Sequence, residues 1–318
     1  MPIFRIHHVT RYDYDRPVKE SINELRIYPY QCAEQELLQH DVVITAQPDM
    51  LLFNDYWHNK TGLFNVLAPH KEMVIESKLV LRTTLPDKLS FAETPGWAQL
   101  AEDVRANLQL LELAEPGNIE NVAEVEKITE LALEGGRNVA AAVEFCNQYI
   151  FTHYKYIKGI TTIETTVDEI IAHKAGVCQD FAHLLLQILR TMHIPARYVS
   201  GYICPNKSGM RGEGATHAWV DAWLPGYGWM GIDPTNNVWV TNNHVKLAVG
   251  RNFNDCTPVK GAFKGPARQR LSVYVSVGYE DGNVFEELNN VQMEAQAGAP
   301  QQEVVEDNRF AVQQQQQQ

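Results

Sequence analysis

Three residues have side chains and settings that together could carry acyl transfer: Cys178, His217 and Asp233. Cys178 stands in "GVCQDFAHLLLQILRTMHIPARYVSGY", after a glycine and a valine and at the head of a run of helix formers. A residue in the first turn of a helix faces unpaired backbone N–H groups and the positive end of the helix dipole. Both favour a thiolate, which is the nucleophilic form. The same N–H groups could receive the oxyanion formed when sulfur attacks a carbonyl. The base such a nucleophile needs is offered by His217 in "GATHAWVDAWLPG". On a strand, His217, Trp219, Asp221 and Trp223 share one face and Ala218, Val220, Ala222 and Leu224 the other. A histidine on the first face can point at the end of a helix packed against the sheet. Asp233, in "GYGWMGIDPTNN", can orient the far nitrogen of the ring if its strand and that of His217 are antiparallel neighbours across "LPGYG". Nucleophile, base and orienting acid are then all present. Taken singly, each has a plain structural reading as a buried cysteine, a satisfied histidine or a turn aspartate; the conjunction points to catalysis.

The surrounding residues leave alternatives open. Asp180 suits the helix start, as a cap or as a participant. His183 lies off the face of Cys178 and reads as packing or hydrogen bonding. Asn147 or Gln148, on the preceding helix, could supply a second oxyanion donor. Trp219 and Trp223 could line a cleft or fill the core. "CPNKSGMRGEGAT" could be a flap over the site or a plain exposed loop. A zinc site at Cys178, Cys204 and His217 lacks any C-x-x-C or H-E-x-x-H spacing. His7–His8 and His40–Asp41 could be ligands, but surface positions at strand ends account for them.

The elements that must position these residues follow from periodicity. Residues 1–90 alternate polar with apolar or aromatic side chains, as in "FRIHHVTRYDY" and "KEMVIESKLVLRTT", and predict an antiparallel β domain of sandwich or barrel type. From Trp97 the period becomes helical. Helices are expected in "TPGWAQLAEDVRANLQLLELAEPGN", "IENVAEVEKITELALEGG" and "NVAAAVEFCNQYIFTHY". Thr166 and Glu169 form a capping-box pattern for a short helix, which Gly176 would end. Phe181, Leu184, Leu185, Ile188, Leu189 and Met192 make one apolar face of the next helix. "ARYVSGYIC", "THAWVDAWLPG", "GWMGIDPTNN" and "LSVYVSVGYED" read as strands. Helices followed by an antiparallel sheet make residues 91–282 an α+β domain. Residues 283–318, which end in six glutamines, are expected to be a disordered tail.

With 318 residues the chain has room for two domains of ordinary size, and 45% apolar and 21% charged residues fit a globular protein. A net charge of −12 disfavours nucleic-acid and anionic-membrane partners, which need a basic patch. The apolar runs are too short for a membrane span, and the N-terminus lacks an apolar signal region. Five scattered cysteines argue against a disulfide framework and for a reducing, cytoplasmic setting.

The stretches around Cys178, His217 and Asp233, together with "AVGRNFNDCTPVKGAF" and "HHVTRYDYDRPVKESINELRIYP", resemble the bacterial transglutaminase-like proteins, a family also described as cysteine proteases. The resemblance runs from residue 3 to about 280. It implies a papain-like transglutaminase core behind a separate N-terminal β domain, with Cys178 as nucleophile, His217 as general base and acid, and Asp233 as orienter. One departure stands outside the three: Asn252-Phe253 follow "GR", where family members often carry aspartate and tyrosine. The implied reaction is thiol-dependent acyl transfer on amides of a peptide or protein substrate, without a cofactor. Hydrolysis is favoured, protein-glutamine transamidation is the alternative, and a non-enzymatic peptide-binding scaffold is a third reading. Animal members of the superfamily use calcium, but no EF-hand pattern occurs here. The residues leave the oligomeric state open.

Overall fold

The computed structural model describes residues 2–85, 91, 96–204, 211, 216–279, 284–287, 293–294 and 310–314, which fall into two compact units. One is the β unit. Its first sheet runs in the order Val284–Glu287, Gln269–Tyr279, Ile3–Val18, His70–Thr83, Gln35–Ile44. Its second runs Phe310–Gln314, Val259–Lys264, Glu20–Leu25, Lys60–Val66, Met50–Asn54. All pairings in both sheets are antiparallel. Alternation drives the strands: Phe4, Ile6, His8, Thr10, Tyr12 and Tyr14 point inward along Ile3–Val18. Tyr14 meets Phe263 of the other sheet at 5.1 Å between ring centroids. The buried His8, held by Thr10 and pushed down to about 4 by burial and by His7, is thus a core residue rather than a surface one. His7 pairs with Glu76 and His40 with Ser77.

The expected boundaries change at the C-terminal side. Val259–Lys264 pairs with Glu20–Leu25, and Gln269–Tyr279 pairs with Ile3–Val18, so residues 257–279 belong to the β unit and not to the helical one. Of the expected tail, 284–287, 293–294 and 310–314 are strand, and the rest lies outside the described residues.

The second unit holds the helices and a sheet in the order Val238–Trp239, Gly228–Asp233, Thr216–Leu224, Ala196–Ile203, His244–Gly250, again antiparallel. Every residue of Ala196–Ile203 is buried, so this strand is covered on both faces. The helix Cys178–Thr191 shares one apolar cluster with Ala218, Val220, Ala222 and Leu224. It therefore packs on the face opposite His217. The small side chains of Ala218 and Ala222 allow that close approach. Two long polar residues of the helix, Gln187 and Arg190, are buried too, and backbone groups satisfy them. Gln187 exchanges two 3.0 Å bonds with Gly117, and Arg190 donates to the carbonyls of Leu113, Ala196 and Arg251.

Two helix boundaries differ from the periodicity. The run from Trp97 is broken into Trp97–Ala106 and Leu108–Ala114, because Asn107 adopts an extended conformation and its Oδ1 accepts from the N–H groups of Gln109 and Leu110. Asn107→Ala is expected to cost about 1 kcal/mol, read as a shift in urea midpoint. The helix Val167–His173 has the expected Thr166–Glu169 capping box, but it ends at Lys174 in the left-handed region, ahead of Gly176. Ala175–Gly176 instead forms a short parallel bridge with Lys155–Tyr156.

Candidate active site

The helix that carries Cys178 starts at the cysteine because Asp180 caps it. The Oδ2 of Asp180 accepts from the Val177 N–H at 2.7 Å and from the Thr161 hydroxyl at 2.7 Å. This packs the carboxylate against Gly176, where a Cβ would stand 2.7 Å from Asp180 Oδ2, so only glycine fits there. Burial raises the Asp180 carboxyl, and the Thr161 and Val177 donors partly offset that. Its role is that of a cap. Cys178 itself is 1% exposed.

His217 is the second residue of Thr216–Leu224, and Asp233 is the last of Gly228–Asp233. These strands are antiparallel neighbours in the register Asp221↔Gly231, which brings His217 Nε2 to 2.8 Å from Asp233 Oδ2. Both side chains are fully buried. Burial alone would lower the imidazole. The charge and hydrogen bond of Asp233 reverse this, and the nearby Cys178 sulfur acts in the same direction, so the ring is held up to about 10. With Nε2 committed to Asp233, Nδ1 has no hydrogen-bond partner among the described residues. Asp233 is held by more than the ring. Its Oδ1 accepts from Thr235 N at 2.9 Å, and its Oδ2 also accepts from Asn236 Nδ2 at 2.7 Å and from His244 Nε2 at 3.3 Å. Burial would raise this carboxyl, but the two histidines bring it well below the usual carboxylate range.

The structure thus joins His217 to Asp233 and puts Cys178 within electrostatic reach of the ring, and it adds His244, Thr235 and Asn236, which periodicity did not single out. The available signal for His244 was the alternation in "NNHVKLAVG", which puts His244 and Lys246 on one side of a strand. Of the proposed oxyanion donors, Gln148 is exposed, whereas Asn147 is buried and donates to Asn237, on the turn after Asp233. His183 accepts from Phe253 N at 3.2 Å and is a packing residue. Trp219 is core, and Trp223 donates to Asp103. The flap reading of "CPNKSGMRGEGAT" falls largely outside the described residues. Among the described residues, His217, Asp233 and His244 are the one group of donor atoms, all within 4.8 Å, close enough to suggest an ion. Their short contacts are hydrogen bonds converging on one carboxylate oxygen, to which Asn236 also donates, so they form a hydrogen-bond network. None of the five cysteines is in a disulfide. No helix of the described residues is long and apolar enough to cross a membrane.

Residues 126–234, which include all three of Cys178, His217 and Asp233, match the core of the transglutaminase-like superfamily, and residues 4–82 match the bacterial transglutaminase-like N-terminal region. The chain belongs to this family. A Mycobacterium leprae protein, the uncharacterized ML0607, is 33% identical over 277 residues, spanning 86% of this chain and 97% of its own. A protein-glutamine gamma-glutamyltransferase of Pseudomonas aeruginosa is 28% identical over 157 residues, 46% of this chain but 23% of that enzyme. In fold, the chain is similar to a Cytophaga hutchinsonii structure described as a "Putative Cysteine Protease", with a TM-score of 0.69 at 20% identity over 92% of this chain and 96% of the other. The family is one of cysteine-dependent enzymes, and the α+β core behind an all-β N-terminal region is its architecture.

Proposed function

We propose that the protein hydrolyses a peptide or isopeptide-like amide through Cys178, His217 and Asp233. The observation that carries this is the ring of His217, whose Nε2 is anchored by Asp233 while Cys178 acts on the same imidazole. An imidazolium so placed stabilises the thiolate. The sulfur attacks the amide carbon, forming a C–S bond, and the oxyanion is received by first-turn N–H groups of the Cys178 helix. The C–N bond then breaks, and the departing amine takes the proton from His217. Water attacks the thioester, giving its proton to His217, and the acid and free thiol are released. An amine in place of water would complete transamidation. The similarity to the Pseudomonas aeruginosa gamma-glutamyltransferase supports keeping that second reading.

The test is selective alkylation. Cys32 is half-buried and the other four cysteines are buried, so exposure alone directs iodoacetamide to Cys32. Burial pushes Cys146 up to about 12 and Cys204 well above the ordinary thiol range, which makes both inert. On this proposal Cys178 is modified first, about a hundredfold faster than Cys32 at pH 7, and His217→Ala removes the preference. Labelling that follows exposure, with Cys32 first in both proteins, would sink the proposal. Incorporation of a labelled primary amine into a glutamine-containing protein, compared with uptake of solvent oxygen into the acid product, separates transamidation from hydrolysis.

A further inference from the structure

We propose that His244 is a positioning residue of the active site: a neutral imidazole whose Nε2–H, together with Asn236, fixes the Asp233 oxygen that holds His217. This rests on the role assigned to His217 above. His244 falls ten residues beyond the matched family core, which ends at 234. It comes from the strand His244–Gly250, at the opposite edge of the sheet from Val238–Trp239 and two strands away from the strand of His217. The intervening strand Ala196–Ile203 places Gly201 directly opposite His217. A Cβ at Gly201 would lie 2.5 Å from Trp219 Cη2 and 2.0 Å from the Val245 carbonyl oxygen. Glycine therefore lets the Trp219 ring lie over the strand, and that ring meets His244 edge-on at 5.2 Å. His244 is 4% exposed and its Nε2 stands 3.3 Å from Asp233 Oδ2, the same oxygen that His217 contacts at 2.8 Å.

The two imidazoles on this oxygen are driven apart in protonation. Burial lowers His244, and the charge on His217 lowers it further against the pull of Asp233, while His217 is held up. Environments that separate two like groups assign them different tasks. The charged neighbours of the pair can be named from each packed element. Asp233 comes from the strand Gly228–Asp233 and Cys178 from the helix, and the other charges on these strands, Asp221, Arg197 and Lys246, bind one another. A neutral His244 bonded to a carboxylate must donate, which fixes its tautomer as Nε2–H and leaves Nδ1 as an acceptor that no described group fills. The donated bond holds Oδ2 in place and draws off part of its charge. Asp233 thus grips the His217 proton less tightly than it would alone.

The experiment is ¹⁵N-histidine NMR on the full chain, with the imidazole of His217 followed against pH. In the wild type His244 is expected as the neutral Nε2–H tautomer at pH 7 to 8, above the ordinary imidazole value from which burial lowers it. In His244→Leu the His217 midpoint should rise by about one pH unit, the size of a hydrogen bond to a charged group. His244→Gln, whose amide supplies an N–H in the same place, should restore it to within about 0.3 units. The proposal is overturned if wild-type His244 is the Nδ1–H tautomer or an imidazolium, a result that needs no variant to fold. It is equally overturned if folded His244→Leu titrates as the wild type does. Cys178 alkylation in wild type and His217→Ala is measured alongside. Absence of selectivity in the wild type, or its survival in His217→Ala, defeats the function proposed above, whereas selective wild-type alkylation with an unmoved His217 midpoint defeats only the role of His244.

Discussion

Asp233→Asn lowers the rate at which iodoacetamide alkylates Cys178 at pH 7 by about a thousandfold. The imidazolium of His217 exists in a fully buried place only because a carboxylate lies 2.8 Å away. Burial opposes the charged ring, and the Asp233 charge reverses that to about 10. With the carboxylate replaced by an amide, burial prevails and the ring falls below its ordinary 6.5. On the proposed mechanism, a drop of more than about three pH units removes the cation that would stabilise a thiolate, at tenfold per unit. The variant amide also turns one donor toward Asn236, which now donates to Asp233 Oδ2 at 2.7 Å. Stability follows the same pair. Asp233 is depressed, so its contribution is present above about 3.8 and is lost as pH falls below that. His217 is raised, so its contribution is full below about 6.5 and is lost as pH rises through about 10. Urea midpoints from pH 3 to 11 should therefore separate wild type and variant most between about pH 4 and 6.5. A variant that alkylates at the wild-type rate, with His217 still titrating near 10, would remove Asp233 from the mechanism.

What the chain reveals in one dimension, and what it hides, divides along contact range. Cys178 was legible because a helix start has a local signature: Gly176 ahead, Asp180 three residues after Val177, and an apolar stripe behind. His217 and Asp233 were legible because a short turn joins their strands, so strand alternation and antiparallel pairing could be read together. His244 was not, because its strand pairs with Ala196–Ile203, whose register partners lie 41 to 52 residues earlier, and period-two alternation does not name a partner. The same limit misplaced Gln269–Tyr279. Its strand character was plain, but its partner is Ile3–Val18 at the far end of the sequence. The alternation along Thr216–Leu224 did separate two faces, yet it could not say which one the helix covers. The alanines at 218 and 222 were the available hint, since small side chains are where a helix can approach a sheet closely. Asn107 carried a legible signal that the longer periodicity outweighed, as a strong N-cap residue in the middle of a helical run.

The strands that carry the site are pinned by a buried charge cluster, and Asp221→Ala is expected to cost about 3–5 kcal/mol in urea unfolding. Asp221 is fully buried and its Oδ2 accepts from Arg197 Nε and Nη2 at 3.1 and 2.9 Å and from Lys246 Nζ at 2.6 Å. Burial would raise its carboxyl, and Lys246 and then Arg197 bring it below the ordinary value. The three residues sit on three adjacent strands, with Arg197 opposite Asp221 in register and stacked on Trp229. Removing the carboxylate leaves two buried cations without the anion they share, which is why the loss exceeds that of a surface ion pair. Asp221 lies four residues past His217 and Lys246 two past His244, so a loosened cluster shifts both histidines against Asp233. The coupling is testable in one protein. Asp221→Ala combined with Arg197→Met and Lys246→Met should recover most of the lost stability, because apolar groups of similar length need no counter-charge. If the triple variant regains stability but Cys178 alkylation stays slow, the cluster's part in catalysis is geometric. If the single variant loses less than about 1 kcal/mol, the cluster is as weakly coupled as an exposed pair and cannot be what holds the histidines in register.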